Sequence, residues 1–254
     1  MTDFSKILIR SSSVGYLFIE PKSKEAKERG DLSETAKTYL IKEYIRLKYG
    51  REEDIVTKQM QKGIDAEEDS IDLLSIHQQK TLKKNTERVN NDYITGLPDV
   101  FEGESITSCD FLWDIKTSWS IWTFLANLKA PLSDLYYYQL QSYMWLTGCQ
   151  NSAISYVLAD APIHIVEAEK RKLLYSMNVI SEESPEYLQA VANLENNMIY
   201  ADLPLEERIL IFPVERDEEV IQKIKTKVEK AREFLAQFEK DHLNFNKNKR
   251  ILHC

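Results

Sequence analysis

Residues 92–118 read DYITGLPDVFEGESITSCDFLWDIKTS, and this stretch decides the fold. Residues 92–97 carry a strand-like pattern that closes on Gly96-Leu97-Pro98-Asp99, a run of turn residues. Fifteen positions after Asp99 comes Asp114, inside a second strand predicted over residues 111–116. A Gly- and Ser-containing connection joins the two into a β-meander. The two-residue strand period puts Asp114 and Lys116 on one face and Phe111, Trp113 and Ile115 on the other. An Asp/Lys pair on a half-exposed strand is the plain explanation, but the apolar and aromatic flanks indicate a buried strand, where charge needs a partner.

Upstream, residues 30–50 read as a helix that Ser33 and Glu34 start and Gly50 ends. A second helix is expected over residues 56–78, with Met60, Ile64, Ile71 and Leu74 on one stripe. At 100° per residue Glu67 lies about 25° from the centre of that stripe and Glu68 about 75° from it, with Asp65, Asp69 and Asp72 on the solvated side. A carboxylate so placed calls for a cation, either a structural ion pair with Lys or Arg or a metal.

Downstream, helices are expected over residues 121–128 and 135–146 and a short buried strand over 153–158. Residues 208–214 read as a strand that Pro213 assigns to an edge or an end. After it, Ile221, Ile224, Val228, Ala231, Leu235 and Phe238 mark a long helix packed on the sheet. The sum is a mixed α/β fold in a single domain, residues 1–254: an N-terminal helical part (1–55), a core (56–160) and a C-terminal strand with helices (161–254).

The 254 residues hold 33 Lys+Arg against 41 Asp+Glu, a formal charge of −8, which argues against a broad basic footprint for nucleic acid. Seven Gly and seven Pro exclude collagen-like and low-complexity readings. No stretch is long and apolar enough to span a bilayer, and no apolar signal core stands at the N-terminus, so a cytoplasmic protein without membrane contact is expected. Cys109, Cys149 and Cys254 form no CxxC pair and are too few for a four-cysteine metal site; reduced thiols are expected.

Three features together suit phosphodiester hydrolysis, which needs cations on the phosphoryl oxygens and an activated water. Magnesium takes carboxylate, carbonyl and water oxygens. Glu67, Asp99 and Asp114 would supply carboxylates, Ile115 its carbonyl, and Lys116 an ammonium that orients water or stabilises the transition state.

With these residues the chain resembles the PD-(D/E)xK nuclease superfamily, whose motif halves stand here as Gly96-Leu97-Pro98-Asp99 and Asp114-Ile115-Lys116. Lys62-Gly63-Ile64-Asp65-Ala66-Glu67 is similar to the GxxxE helix of the lambda exonuclease and YqaJ-like viral recombinase branch. Residues 138–148, YQLQSYMWLTG, resemble that branch's glutamine helix. The resemblance implies a restriction-endonuclease-like core, a central mixed sheet flanked by helices. It implies that Glu67, Asp99 and Asp114 hold one or two Mg2+ ions, which Mn2+ can replace, with Asp114 where many relatives have Glu. It also implies Lys116 as catalytic lysine and Gln139 as the residue positioning water or ligands, Gln141 being the competing choice.

Ile9-Arg10-Ser11-Ser12-Ser13-Val14-Gly15 resembles the arginine-then-serine segment that relatives use near a DNA 5′-phosphate, although the spacing departs from it. Arg10, Ser12 and Ser13 are therefore candidate DNA contacts, with a helix cap and a surface arginine as the alternative. Among the aromatics near the motif, Trp119 and Trp122 are candidates for stacking on unpaired bases, and core packing accounts for the rest. The expected function is a magnesium-dependent 5′-to-3′ exonuclease on linear duplex DNA in phage-type recombination or DNA processing. The alternatives are a restriction- or repair-type endonuclease and a catalytically inactive DNA- or protein-binding relative. The resemblance further suggests a single-strand annealing protein as partner and a trimeric homo-oligomer.

Overall fold

The computed structural model describes residues 3–53, 57–130, 132–179 and 181–251, so Val56 and Cys254 lie outside the described residues. Strand β1 (Ile9–Arg10) runs into a 3-10 segment, Ser11–Phe18, and helices α1 (Lys24–Glu28) and α2 (Glu34–Tyr49) follow. As the sequence indicates, the Ser33 hydroxyl accepts the Ala36 N–H at the start of α2. Gly50 ends it at φ +62°, a conformation that only glycine adopts without cost.

The expected single helix over 56–78 is two helices, α3 (Lys58–Asp65) and α4 (Glu67–Gln78), broken at Ala66 (φ −103°, ψ 12°). The continuous apolar stripe is therefore not formed: Ile71 and Leu74 are buried, but Met60 and Ile64 are 53% and 61% exposed. Glu67 is instead the first residue of α4, where the unpaired N–H groups and the helix dipole favour a carboxylate.

Strands β2 (Val89–Asn90) and β3 (Ile94–Gly96) form a small sheet with β1, in the order β1-β3-β2. The larger sheet is β4 (Val100–Ser105), β5 (Ser108–Thr117), β6 (Asn151–Val157) and β7 (Ile209–Glu215), in that order. The β-meander expectation fails here, because the strand before Gly96 belongs to one sheet and Asp114 to the other. The connection read as a loop holds β4, which pairs antiparallel to β5 with Val100 opposite Trp113. Its alternation is masked by Glu102, Gly103 and Glu104, and Gly103 bulges at φ +128°. β5 and β6 are parallel and β7 returns antiparallel at the edge, where Pro213 is tolerated.

Helices α5 (Ile121–Ala126) and α6 (Asp134–Thr147) follow β5. One face of β5 gives Leu112 to a core with Leu140, Tyr143 and Met144 of α6. The other gives Trp113 and Ile115 to a core with Ile71 and Leu74 of α4. The strand is thus covered on both sides, and its polar residues are held inside protein. Two helices that the sequence pattern did not single out, α7 (Ile163–Met177) and α8 (Pro185–Asn196), pack on each other.

The last helix, α9 (Glu218–Ile251), carries the expected apolar positions. Ile224, Val228, Ala231 and Leu235 are buried against Leu17, Ala36, Leu40 and Ile94 rather than on the four-stranded sheet. It closes over the N-terminal segment, each full burial of a large aliphatic side chain contributing about 1.5–3 kcal/mol. No described helix is long and apolar enough to cross a membrane. Cys109 and Cys149 are free thiols.

Candidate active site

Asp114 is completely buried in the middle of the larger sheet, on the side covered by α6. Its Oδ1 accepts a hydrogen bond from Gln139 Nε2 at 2.8 Å, one of two that this amide group donates, the other going to the Tyr143 hydroxyl at 3.1 Å. Its Oδ2 faces Lys116 Nζ at 2.6 Å in an ion pair whose angle makes no proper hydrogen bond. The lone pairs of that oxygen thus have no directed donor.

Asp99 stands at the entry to β4, where its Oδ2 accepts the Ile115 N–H at 2.8 Å. This bond joins the turn after Gly96 to the strand of Asp114 and brings the two motif halves together. Burial and the neighbouring Asp114 charge raise the Asp99 carboxyl to about 7, against the opposing pull of Lys116 and the Ile115 N–H. Burial also works against the Lys116 ammonium, but Asp114 and Asp99 outweigh it and hold its proton above the ordinary lysine value. The same ammonium lies 5.0 Å from the centre of the Tyr136 ring.

Glu67 is close enough to add repulsion at Asp99, yet its Oε2 is paired with Lys84 Nζ at 2.5 Å. Among the described residues, no three His, Cys, Asp or Glu side chains are grouped so as to hold a metal ion. What the structure assembles is Asp99, Asp114, Ile115, Lys116 and Gln139, with Glu67 alongside and held by Lys84. Two carboxylates against one ammonium leave a net negative charge in a low-dielectric place, and Asp114 Oδ2 has no directed donor. Both features suit a hard cation, so the donor set fits magnesium.

Gln141, the competing choice, is not part of this cluster. It donates to the Glu215 carbonyl at 2.7 Å and accepts the Asp217 N–H at 2.9 Å, fastening the β7–α9 corner. Arg10 is also apart: its guanidinium donates to Glu43 at 2.8 Å, and Arg46 reaches the same carboxylate at 2.6 Å. These groups line a cavity of about 840 Å³ that includes Ser13, Tyr39 and Arg51, while Ser12 is exposed. Of the alternative for this segment, the helix cap is not formed, since the 3-10 turn after Arg10 has no side-chain cap, while Arg10 itself is exposed.

Two residues were not singled out as site groups and had a legible trace. Lys84 is one of several lysines between α4 and β2 of the small sheet, and its pairing with Glu67 spans 17 positions. Lys62, inside the GxxxE segment, is only 1% exposed. It occupies an inward position of a helix whose Met60 and Ile64 face out.

No protein-family profile and no curated protein matches the chain. Solved structures do. A phage-related exonuclease from Haemophilus somnus 129PT is 31% identical, with a TM-score of 0.71 over 93% of this chain and 97% of that one. The alkaline exonuclease LHK-Exo from Laribacter hongkongensis is 17% identical with a TM-score of 0.58, and its complex with dAMP gives 0.59. Each of the two covers 96% of this chain and 94% of its own, and at that identity they bear on the fold alone.

Proposed function

The chain belongs to the lambda exonuclease and YqaJ-like viral recombinase branch of the PD-(D/E)xK nucleases, and from that footing we propose that it is a magnesium-dependent 5′-to-3′ exonuclease on linear duplex DNA, serving phage-type recombination or DNA processing. The observation that carries the reading is the contact of both Asp114 oxygens, Oδ1 with Gln139 and Oδ2 with Lys116, beside Asp99.

Asp99, Asp114 and the Ile115 carbonyl would hold the magnesium, with Glu67 joining when it leaves Lys84; Mn2+ has the same preference for oxygen. When bound, the ion neutralises charge on the phosphoryl group and lowers the pKa of a water. The chain's own groups do the rest. Gln139 fixes the rotamer of Asp114, so its oxygens are aimed before substrate arrives. Lys116, held protonated by Asp114 and Asp99, cannot serve as a resting base; it acts as a fixed positive charge that orients water and stabilises the developing oxyanion. Arg10 and Ser13, on the wall of the 840 Å³ cavity, with Ser12 exposed next to them, are the groups proposed for the 5′-phosphate. A single-strand annealing protein and a trimer around DNA belong to the same reading.

The test is digestion of linear duplex carrying a 5′-phosphate, set against a closed circle of the same sequence, with magnesium. The reading requires loss of the linear form from its 5′ ends and survival of the circle. Cleavage of the circle at defined sequences would overturn the exonuclease mode in favour of a restriction-type endonuclease.

A further inference from the structure

The largest fully buried side chain that the nuclease centre does not use is Lys62. Its ammonium donates to the carbonyls of Ser118 and Trp119, each at 3.1 Å, and forms no ion pair among the described residues. An ammonium has three N–H groups. The third has no hydrogen-bond acceptor among the described residues: the ring centres of Trp119 and Tyr200 lie 6.0 and 5.6 Å away, and Asp160 acts on the charge without forming an ion pair. A buried charge with an unspent donor is costly unless an acceptor completes it.

Lys62 lines a cavity of about 310 Å³ with Trp119, Trp122, Leu194 and Met198 and with the polar side chains of Ser120, Glu169 and Asn197. Trp119 is half-buried, and Trp122 is 66% exposed on the first turn of α5. The volume is at the lower end of small-ligand pockets, about 300–1,000 Å³. Two indoles beside Leu194 and Met198 suit a flat heterocycle, the Glu169 carboxylate on the rim is neutralised by Lys58 and Lys172, and the spare N–H of Lys62 suits a ring nitrogen or carbonyl on the heterocycle's edge. An apolar side chain from a protein partner would fill the same space but would seal the ammonium without an acceptor.

Position ties the cavity to the proposed chemistry. Trp119 is three residues beyond Lys116, and the intervening chain is fixed by the Ser118 N–H to the Val157 carbonyl at 2.8 Å and by the two Lys62 bonds. The cavity therefore opens at the carboxyl ends of the parallel strands β5 and β6, where open α/β sheets bind ligands. α5 is held in place there by the Ser120–Thr123 capping box.

We infer that this cavity is a subsite for one unpaired nucleobase of the DNA strand being processed, stacked between Trp119 and Trp122 with its edge toward Lys62. The identity of the occupant as DNA rests on the nuclease reading above.

The experiment measures binding of a fluorescently labelled oligothymidylate by anisotropy, in chelator and without divalent metal. An abasic oligomer of the same length serves as the control with the same phosphates. The wild-type protein is expected to bind the thymine oligomer about tenfold tighter than the abasic one, as one stacked base provides. Trp122→Ala should remove that preference and leave abasic binding unchanged, and Trp122→Phe should restore most of it. Since Trp122 is largely exposed, its loss spares the core. Equal affinity for the two oligomers, no binding of either, or a preference that survives Trp122→Ala overturns the subsite. Digestion of linear duplex is followed in parallel: digestion without a base preference sinks the subsite alone, and a base preference without digestion sinks the nuclease reading alone.

Discussion

Gln139 Nε2 donates to Asp114 Oδ1 across 2.8 Å, joining α6 to the middle of β5 in a buried place. Without this bond the Asp114 carboxylate is free to rotate toward Lys116 alone. Gln139→Leu is therefore expected to lower kcat by about 10- to 100-fold with little change in KM, the range seen when a ligand's supporting hydrogen bond is lost. Steady-state kinetics on linear duplex measure this. Gln141→Leu should leave kcat near wild type and lower thermal stability, because Gln141 fastens Glu215 and Asp217.

Interactions between near neighbours in the chain leave a pattern in the sequence, and those between distant positions do not. Asp114, Lys116 and the ends of α2 were readable because strand period, capping and a left-handed glycine are local. The alternation of β5 holds because both its faces are covered. The α3–α4 break was not readable: Met60 and Ile64 sit at helical spacing with Ile71 and Leu74, but nothing local distinguishes an apolar residue that faces solvent. β4 is hidden in the sequence because Glu102 and Glu104 break its apolar alternation, Glu102 being half-buried where it accepts from Trp113 Nε1 and Glu104 being exposed on the edge strand. The Glu67–Lys84 pair and the Glu43 pairing of Arg10 depend on contacts 17 and 33 positions apart, beyond any helical or strand repeat.

Lys116→Ala should reduce turnover by about 10²–10³-fold, the loss that follows removal of one electrostatic stabiliser. It also leaves Asp114 and Asp99 buried without a cation, so the metal-free variant should melt lower than wild type, and added magnesium should recover part of the difference. Differential scanning fluorimetry with and without Mg2+ checks both signs.

Lys84 competes with the metal for Glu67. The pair is partly exposed, with 41% and 27% of the side-chain surfaces in water, so its loss should change stability by no more than about 1 kcal/mol. Lys84→Ala is expected to tighten Mg2+ binding severalfold by releasing the carboxylate. Calorimetric titration would show it, and unchanged or weaker binding would count against a ligand role for Glu67.

Burial lowers the Lys62 ammonium to about 8, from 10.5 in an unfolded chain. Between those pH values the unfolded state holds more protons than the folded one, so this residue's contribution makes stability rise with pH across that window. Below pH 8 its penalty is fully present. The wild type should therefore gain on Lys62→Met as pH goes from 8 to 10.5, by at most about 3 kcal/mol. Paired urea titrations at several pH values read the difference.

Gly15 lets the segment after Arg10 lie directly on α6. A β-carbon there would stand 2.7 Å from Leu135 Cα and 3.2 Å from its carbonyl oxygen, both backbone atoms that cannot swing away. Gly15→Ala should destabilise the fold by about 1–3 kcal/mol, and because the strain falls at the start of the helix bearing Gln139, kcat should fall with it. Thermal melts alongside kinetics test the pair of effects.

The central claim is that Asp99 and Asp114 form the metal centre of a nuclease. The most direct measurement is anomalous diffraction from crystals soaked in manganese. At least one peak is expected within ligating distance of the Asp99 and Asp114 carboxylates and the Ile115 carbonyl, with Lys116 beside it. A clean map with no peak there, or with the manganese only on surface carboxylates such as Asp69 and Asp72, would contradict it.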